Sequence, residues 1–190
     1  MRFLLGLLLL LTSACSARPV YVVRHAEAYS NLSPVPDLPP NGLDSLTARG
    51  VEQARSLAQE LVGKQIDLVL HSPTGRTTQT AQIVASLLGV PRVSTPELEP
   101  LRGAWIDREA VWAEGRDPSS KDRESMADGV QRALSVIRKY DGATLIVVTH
   151  SDIAAGLVGE AEGTPTYARY LKHKPGTGTV TPVRGLSPPK

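Results

Sequence analysis

The sequence predicts an α/β fold: a three-layer helix-sheet-helix sandwich around a mostly parallel central sheet. Short β-branched apolar runs alternate with helical stretches in the order strand, helix, strand, helix, which yields a parallel sheet covered on both faces. The runs Val20 to Val23 and Thr144 to Thr149 are the most strongly apolar and read as buried strands, the second at the centre of the sheet. Chemistry-bearing residues follow both runs at once, Arg24-His25 after the first and His150-Ser151-Asp152 after the second, where an open sheet binds ligands.

A content of 41% hydrophobic and 21% charged residues over 190 positions is that of one ordinary domain with a proper core. The net charge of +2 comes without a basic run, and aromatics are only 4%, so a nucleic-acid partner is not expected. Residues 1–17 stand apart. A basic start, an apolar run to Leu11 and the small residues Thr12-Ser13-Ala14-Cys15-Ser16-Ala17 read as an export signal. The run is about half the roughly 20 residues a membrane-spanning helix needs. Two cleavage sites are open. Thr12-Ser13-Ala14-Cys15 resembles a bacterial lipoprotein box, which would leave a lipidated Cys15 as the sole membrane link. Cleavage after Ala17 would remove the cysteine. Either way residues 18–190 form one exported domain, periplasmic, extracellular or held at the envelope, with no disulfide.

Each element has its own signal. Four prolines between Leu32 and Leu43 predict an extended surface loop. Thr47 is placed to cap a helix whose inward face is Val51, Ala54, Leu57, Ala58, Leu61 and Val62, with Gly63 ending it. Ile66 to Leu70 is the next strand, and a helix follows with Thr80, Val84, Leu87 and Leu88 inward, ending at Gly89. A short strand spans Arg92 to Ser94, and Ile106 to Asp122 is polar, with a helical turn near Glu109 to Ala113. A longer helix runs from about Arg123 to Tyr140 with Met126, Val130, Ala133, Leu134 and Ile137 inward. Another helix follows His150, and Thr166 to Val183 reads as two strands of an edge hairpin before a frayed Pro-rich end.

Three strand exits thus carry Arg24-His25, the loop bearing Arg76, and His150. Fixed guanidinium groups hold an anion such as phosphate, a neutral imidazole can attack it, and the helix start after Ser151 adds amide donors. A leaving oxygen also needs an acid, and Glu99 lies in a loop where it could serve. A metal bound by His25, His71 and His150 would lack ligand spacing and set a cation beside two arginines, so no metal and no cofactor are expected. His71 and His173 read as structural, and Trp105 and Trp112 as packing residues.

The ordered motifs resemble those of the histidine phosphatase superfamily, also called phosphoglycerate mutase-like, in its larger, mutase-containing branch. They are Arg24-His25-Ala26-Glu27 with Asn31, Leu46-Thr47-Ala48-Arg49-Gly50 with Gln53-Ala54, and Ser72-Pro73 with Arg76 and Gln79-Thr80-Ala81. Glu99 with Gly103 and Trp105, Glu124-Ser125, and Val148-Thr149-His150-Ser151 complete the series. The resemblance implies that His25 is the nucleophile, transiently phosphorylated, that Arg24, Arg76 and His150 hold the phosphoryl oxygens with help from Asn31, and that Glu99 is the acid and later the base for water. It implies a small phosphorylated substrate, or a phosphohistidine protein, with specificity set by Leu32 to Leu43 and Ile106 to Asp122. Ala26 replaces the usual Gly, Ile106-Asp107 stands where many members have Glu-Gly, and Ser151 replaces a Gly. A mutase and a non-catalytic anion-binding or envelope-binding domain are the alternatives.

Overall fold

The computed structural model describes residues 18–103 and 108–186. The leader with Cys15, the Trp105-Ile106-Asp107 segment and the Pro-rich end at 187–190 lie outside the described residues.

A five-stranded sheet in the order β3-β2-β4-β1-β5 forms the middle layer. Its strands are β1 (Val20–Arg24), β2 (Leu68–His71), β3 (Arg92–Ser94), β4 (Leu145–Thr149) and β5 (Val180–Val183). All pairings are parallel except that of β5, which runs antiparallel to β1 at the edge. β4 is the central strand, as its apolarity predicts. Every residue of β2 and β4 is buried, and alternate side chains go to opposite faces. Val22, Leu70 and Val147 meet one helical layer, while Val23, Val69, Ile146 and Val148 meet the other.

The helices are α1 (Pro40–Leu43), α2 (Ala48–Leu61), α3 (Gly75–Leu88), α4 (Arg108–Ala113), α5 (Met126–Ile137), α6 (Ser151–Glu162) and α7 (Thr166–Lys172). α2 and α3 cover one face through Leu57, Leu61, Ala81 and Val84. α5 and α6 cover the other, together with Trp112 and Tyr170. Two caps are those the sequence signals: Thr47 Oγ1 accepts from the Gly50 amide at 3.0 Å, and Gly89 closes α3 at φ 67°. α5 starts at Met126, later than the expected Arg123, because Ser125 Oγ accepts from the Asp128 amide at 3.0 Å and caps it there. The residues expected inside α5 are all buried.

The structure corrects several expectations. The proline-rich loop contains one helical turn, α1, because Pro40 occupies a first-turn position that needs no amide donor. β2 ends one residue later than expected and starts at Leu68. Val62 and Leu87 are exposed: Val62 is the C-cap of α2, and Leu87 falls outside the stripe of α3 that Thr80 and Val84 define. Thr166 to Val183 is not a hairpin. Its first half is α7, where Thr166 and Tyr170, four residues apart, are buried together and Tyr170 packs edge-on against Trp112 at 5.2 Å. Burial at helical spacing overrides the local preference of Thr and Tyr for strands. Only Val180–Val183 forms a strand.

Gly50 shows why the helix-start motif needs glycine. A Cβ there would lie 2.0 Å from the Glu27 carbonyl oxygen, on the loop that follows the Arg24-His25 pair. Gly50→Ala should therefore destabilise the fold by about 1–3 kcal/mol, despite the better helix propensity of alanine, as read by chemical denaturation. A neutral or stabilising effect would show that the approach of the Glu27 backbone to α2 is not close in solution.

Candidate active site

The exits of β1, β2 and β4 are tied at one level. The His25 amide donates to the Thr149 carbonyl at 2.9 Å, and the Ser72 amide to the Val148 carbonyl at 3.2 Å. These bonds bring His25 and His150 into one buried cleft, with ring centroids 5.5 Å apart and planes at 61°.

Each imidazole has a tautomer fixed by its neighbours. His25 Nδ1 lies 2.8 Å from the Ala26 carbonyl, which can only accept, so Nδ1 carries the proton and Nε2 keeps its lone pair. His150 Nδ1 accepts from Arg76 Nη2 at 3.2 Å, so its Nε2–H donates to Ser72 Oγ at 3.1 Å. Burial pushes the His25 imidazole down to about 4; Arg76 and Arg24 push the same way, against the Ala26 carbonyl and Asp44. Burial, then the charge of Arg76, pushes His150 down to about 2. Both rings are therefore neutral at neutral pH.

The cations stand around them. Arg76, in the first turn of α3, splits its guanidinium between His150 and Asp44, whose Oδ1 is 2.5 Å from Nη1. Asp44 also accepts from the Gly75 amide at 2.5 Å. Arg24 donates through Nη1 to the Pro175 carbonyl at 2.7 Å, while its buried Nε has no hydrogen-bond partner among the described residues. Burial lowers its affinity for the proton, with Asp152 among the groups opposing the shift. A partly desolvated guanidinium with an unused donor is suited to an anion.

Glu99 follows a 3-10 turn, Pro96–Leu98, and is half-buried. The Leu98 carbonyl beside it accepts from Thr149 Oγ1 at 2.7 Å, so the loop is pinned where β4 ends, one residue before His150. Asn31 caps a turn, its Oδ1 accepting from the Ala28 amide at 2.9 Å, and is exposed. His71 is buried in a separate contact set, between the Ser72 carbonyl and Arg92, and His173 is exposed. Trp112 is a packing residue, with Nε1 on Asp117 at 3.0 Å. Among the described residues, no three His, Cys, Asp or Glu side chains are grouped so as to hold a metal ion.

Two participants are not visible in the sequence. Asp44 follows the proline-rich segment as the C-cap of α1, 32 residues from Arg76, and its only signal is an acid just ahead of the Leu46-Thr47 helix start. Arg132, on α5, donates to the Glu99 carbonyl at 3.2 Å. Nothing in its helix periodicity separates it from a solvated residue.

With this geometry in view, the similarities to known proteins take on meaning. Residues 20–184 match the profile of the histidine phosphatase superfamily (branch 1). A "Probable phosphoglycerate mutase GpmB" of Serratia proteamaculans (strain 568) is 29% identical over 167 residues, which span 78% of this chain and 77% of that protein. The adenosylcobalamin/alpha-ribazole phosphatase of Escherichia coli (strain K12) is 26% identical over 175 residues, 80% and 82% of the two chains. Bacillus stearothermophilus YhfR has the same fold, with a TM-score of 0.70 at 24% identity over 90% of this chain and 94% of that one.

The neutral imidazoles give a direct check. In nitrogen-resolved NMR from pH 8 to pH 5, His25 and His150 should keep single neutral tautomers, since their lowered values lie near 4 and 2. The unfolded chain, with His25 at about 6.5, takes up its proton first as the pH falls. The fold should therefore lose stability from about 6.5 down towards 4, with a thermal midpoint lower at pH 5 than at pH 7. Protonation of His25 near 6.5 in the folded protein would contradict the buried site.

Proposed function

The chain belongs to the histidine phosphatase superfamily, and on that footing we propose that it hydrolyses a phosphate monoester through a phosphohistidine at His25 Nε2. The observation that carries the reading is the bond from His25 Nδ1–H to the Ala26 carbonyl, which leaves Nε2 as the basic nitrogen beside two arginines.

Nε2 attacks phosphorus in line with the ester oxygen. The N–P bond forms, the P–O bond breaks, and Glu99 gives its proton to the departing oxygen. Arg24 and Arg76 offset charge on the equatorial oxygens, and the imidazolium formed is stabilised by the carbonyl on Nδ1. Water, deprotonated by Glu99, then attacks the phosphohistidine, releasing phosphate and restoring both groups. His150 is bonded on both nitrogens, and only Nε2 carries a proton, so it takes up a phosphoryl oxygen by turning Nε2–H away from Ser72 Oγ. Asn31, exposed and seven residues after Arg24, would assist through its side-chain amide nitrogen only by reaching the phosphoryl group from the turn it caps.

The N-terminal export pattern supports an exported phosphatase, anchored only if Cys15 is lipidated. Relatives named as probable phosphoglycerate mutases favour a second reading, in which the phosphoenzyme returns its phosphoryl group to the product instead of to water. Small phosphorylated metabolites and phosphohistidine proteins are both candidate substrates.

The first test is release of nitrophenol from p-nitrophenyl phosphate by residues 18–190 without added metal, beside His25→Ala. Turnover should vanish in the variant, with an acid-labile phosphoenzyme in the wild type; full activity in His25→Ala would sink the mechanism. Phosphoryl return to an added acceptor alcohol, in place of free phosphate, would select the mutase. Glu99→Gln should slow phenyl phosphate, a poor leaving group, roughly a hundredfold or more and p-nitrophenyl phosphate much less. Equal losses would remove Glu99 from the role of acid. For export, the mass of the mature N-terminus decides: a lipidated Cys15 or a start at Arg18 supports it, and an intact Met1 in the cytoplasm refutes it.

A further inference from the structure

We infer that Arg132, braced by Glu124, is a positioning residue that holds the backbone carrying Glu99 against the end of β4. The inference rests on the reading of Glu99 as the acid.

Arg132 uses its guanidinium on one short stretch of main chain. Nη1 donates to the carbonyls of Glu97 at 2.6 Å, Glu99 at 3.2 Å and Pro96 at 3.4 Å, and Nη2 to that of Pro100 at 3.3 Å. The carbonyl it omits, Leu98, is the one taken by Thr149 Oγ1 at 2.7 Å. Every carbonyl from Pro96 to Pro100 is thus bound to α5 or to the last residue of β4. The amides that follow are tied as well, Leu101 to Asp152 Oδ2 at 3.0 Å and Arg102 to Glu124 Oε2 at 3.1 Å.

The brace itself is a two-point pair. Arg132 Nε and Nη2 each lie 2.7 Å from a Glu124 oxygen, and both side chains are nearly buried, 11% and 13% exposed. Burial raises the Glu124 carboxyl, but the bonds from Arg132 and the Arg102 amide outweigh it and hold it below the ordinary range. A pair kept for stability alone has no need to direct its remaining donors at one short connecting segment. A proton donor does need that, because catalytic geometry must hold to about 0.5 Å, and the segment's own bonds are few. Lysine cannot replace this fork, since its ammonium is a point charge on a flexible stem.

The experiment compares Arg132→Lys, Glu99→Gln and the double variant on phenyl phosphate and p-nitrophenyl phosphate, with thermal melts as a control for folding. Arg132→Lys should lower kcat on phenyl phosphate roughly ten- to a hundredfold, leave KM in place, and slow p-nitrophenyl phosphate little. The double variant should be no slower on phenyl phosphate than Glu99→Gln alone, because Arg132 acts through Glu99. If Arg132→Lys does not fold, Glu124→Gln supports the same comparison with a weakened brace. Equal losses on both esters, or losses that multiply in the double variant, would overturn the positioning role while leaving Glu99 as the acid. A Glu99→Gln enzyme that is not selective for leaving group would overturn the reading of Glu99, and the role of Arg132 with it.

Discussion

The register of β4 between β1 and β2 is the constraint on which the rest depends. Thr149 stands opposite Arg24, and Val148 opposite His71. From those positions the Thr149 carbonyl takes the His25 amide, the Val148 carbonyl takes the Ser72 amide, and the Thr149 hydroxyl holds the Leu98 carbonyl. A slip of one residue would turn every β4 side chain to the other face and dissolve all three links. The slip is forbidden by burial: Ile146, Val147 and Val148 are each 0% exposed, packed alternately into two different helical layers. The apolar core thus sets the alignment of His25, His150 and the loop that carries Glu99.

The same packing creates an electrostatic problem at the strand exits. Two arginines and two imidazoles are gathered there, and burial is the first cause of the lowered proton affinity of Arg24, His25 and His150. Keeping both imidazoles neutral removes two of the four charges the site would otherwise carry. It also leaves a lone pair where a nucleophile requires one. The remaining positive charge is unfavourable to the empty fold and favourable to a bound dianion.

Legibility in the sequence followed the range of the interactions. The core strands β1 and β4, the cap at Thr47, the Gly89 stop and the buried stripe of α5 are local patterns, and they are found where periodicity and cap chemistry put them. That Arg24, His25 and His150 meet was legible because a parallel sheet must deliver strand exits to one edge. What was missed is non-local. The helix at Thr166–Lys172 exists because Tyr170 meets Trp112, 58 residues away in sequence, and no property of the Thr-Tyr-rich segment foretells that contact. The role of Asp44 depends on α3 arriving beside it, and the bonds of Arg132 depend on the crossing of α5 over the 96–100 segment.

Asp44 and Arg132 also explain how the site discriminates among its own cations. Arg76 has Asp44 behind it, Arg132 has Glu124, and Arg108 has Asp152. Each carboxylate orients its arginine and takes up part of its charge. Arg24 is built differently. Among the described residues no carboxylate pairs with it; its one bond is to the Pro175 carbonyl, and its buried Nε has no partner. Asp152, which acts on it through space, is already committed to Arg108 and to two amides. The paired arginines are thus oriented and partly offset, and the uncompensated charge is concentrated on Arg24, next to His25. In the proposed reaction an incoming phosphoryl group would complete the pairing of Arg24 beside His25, so that binding and alignment would follow from one missing counter-charge.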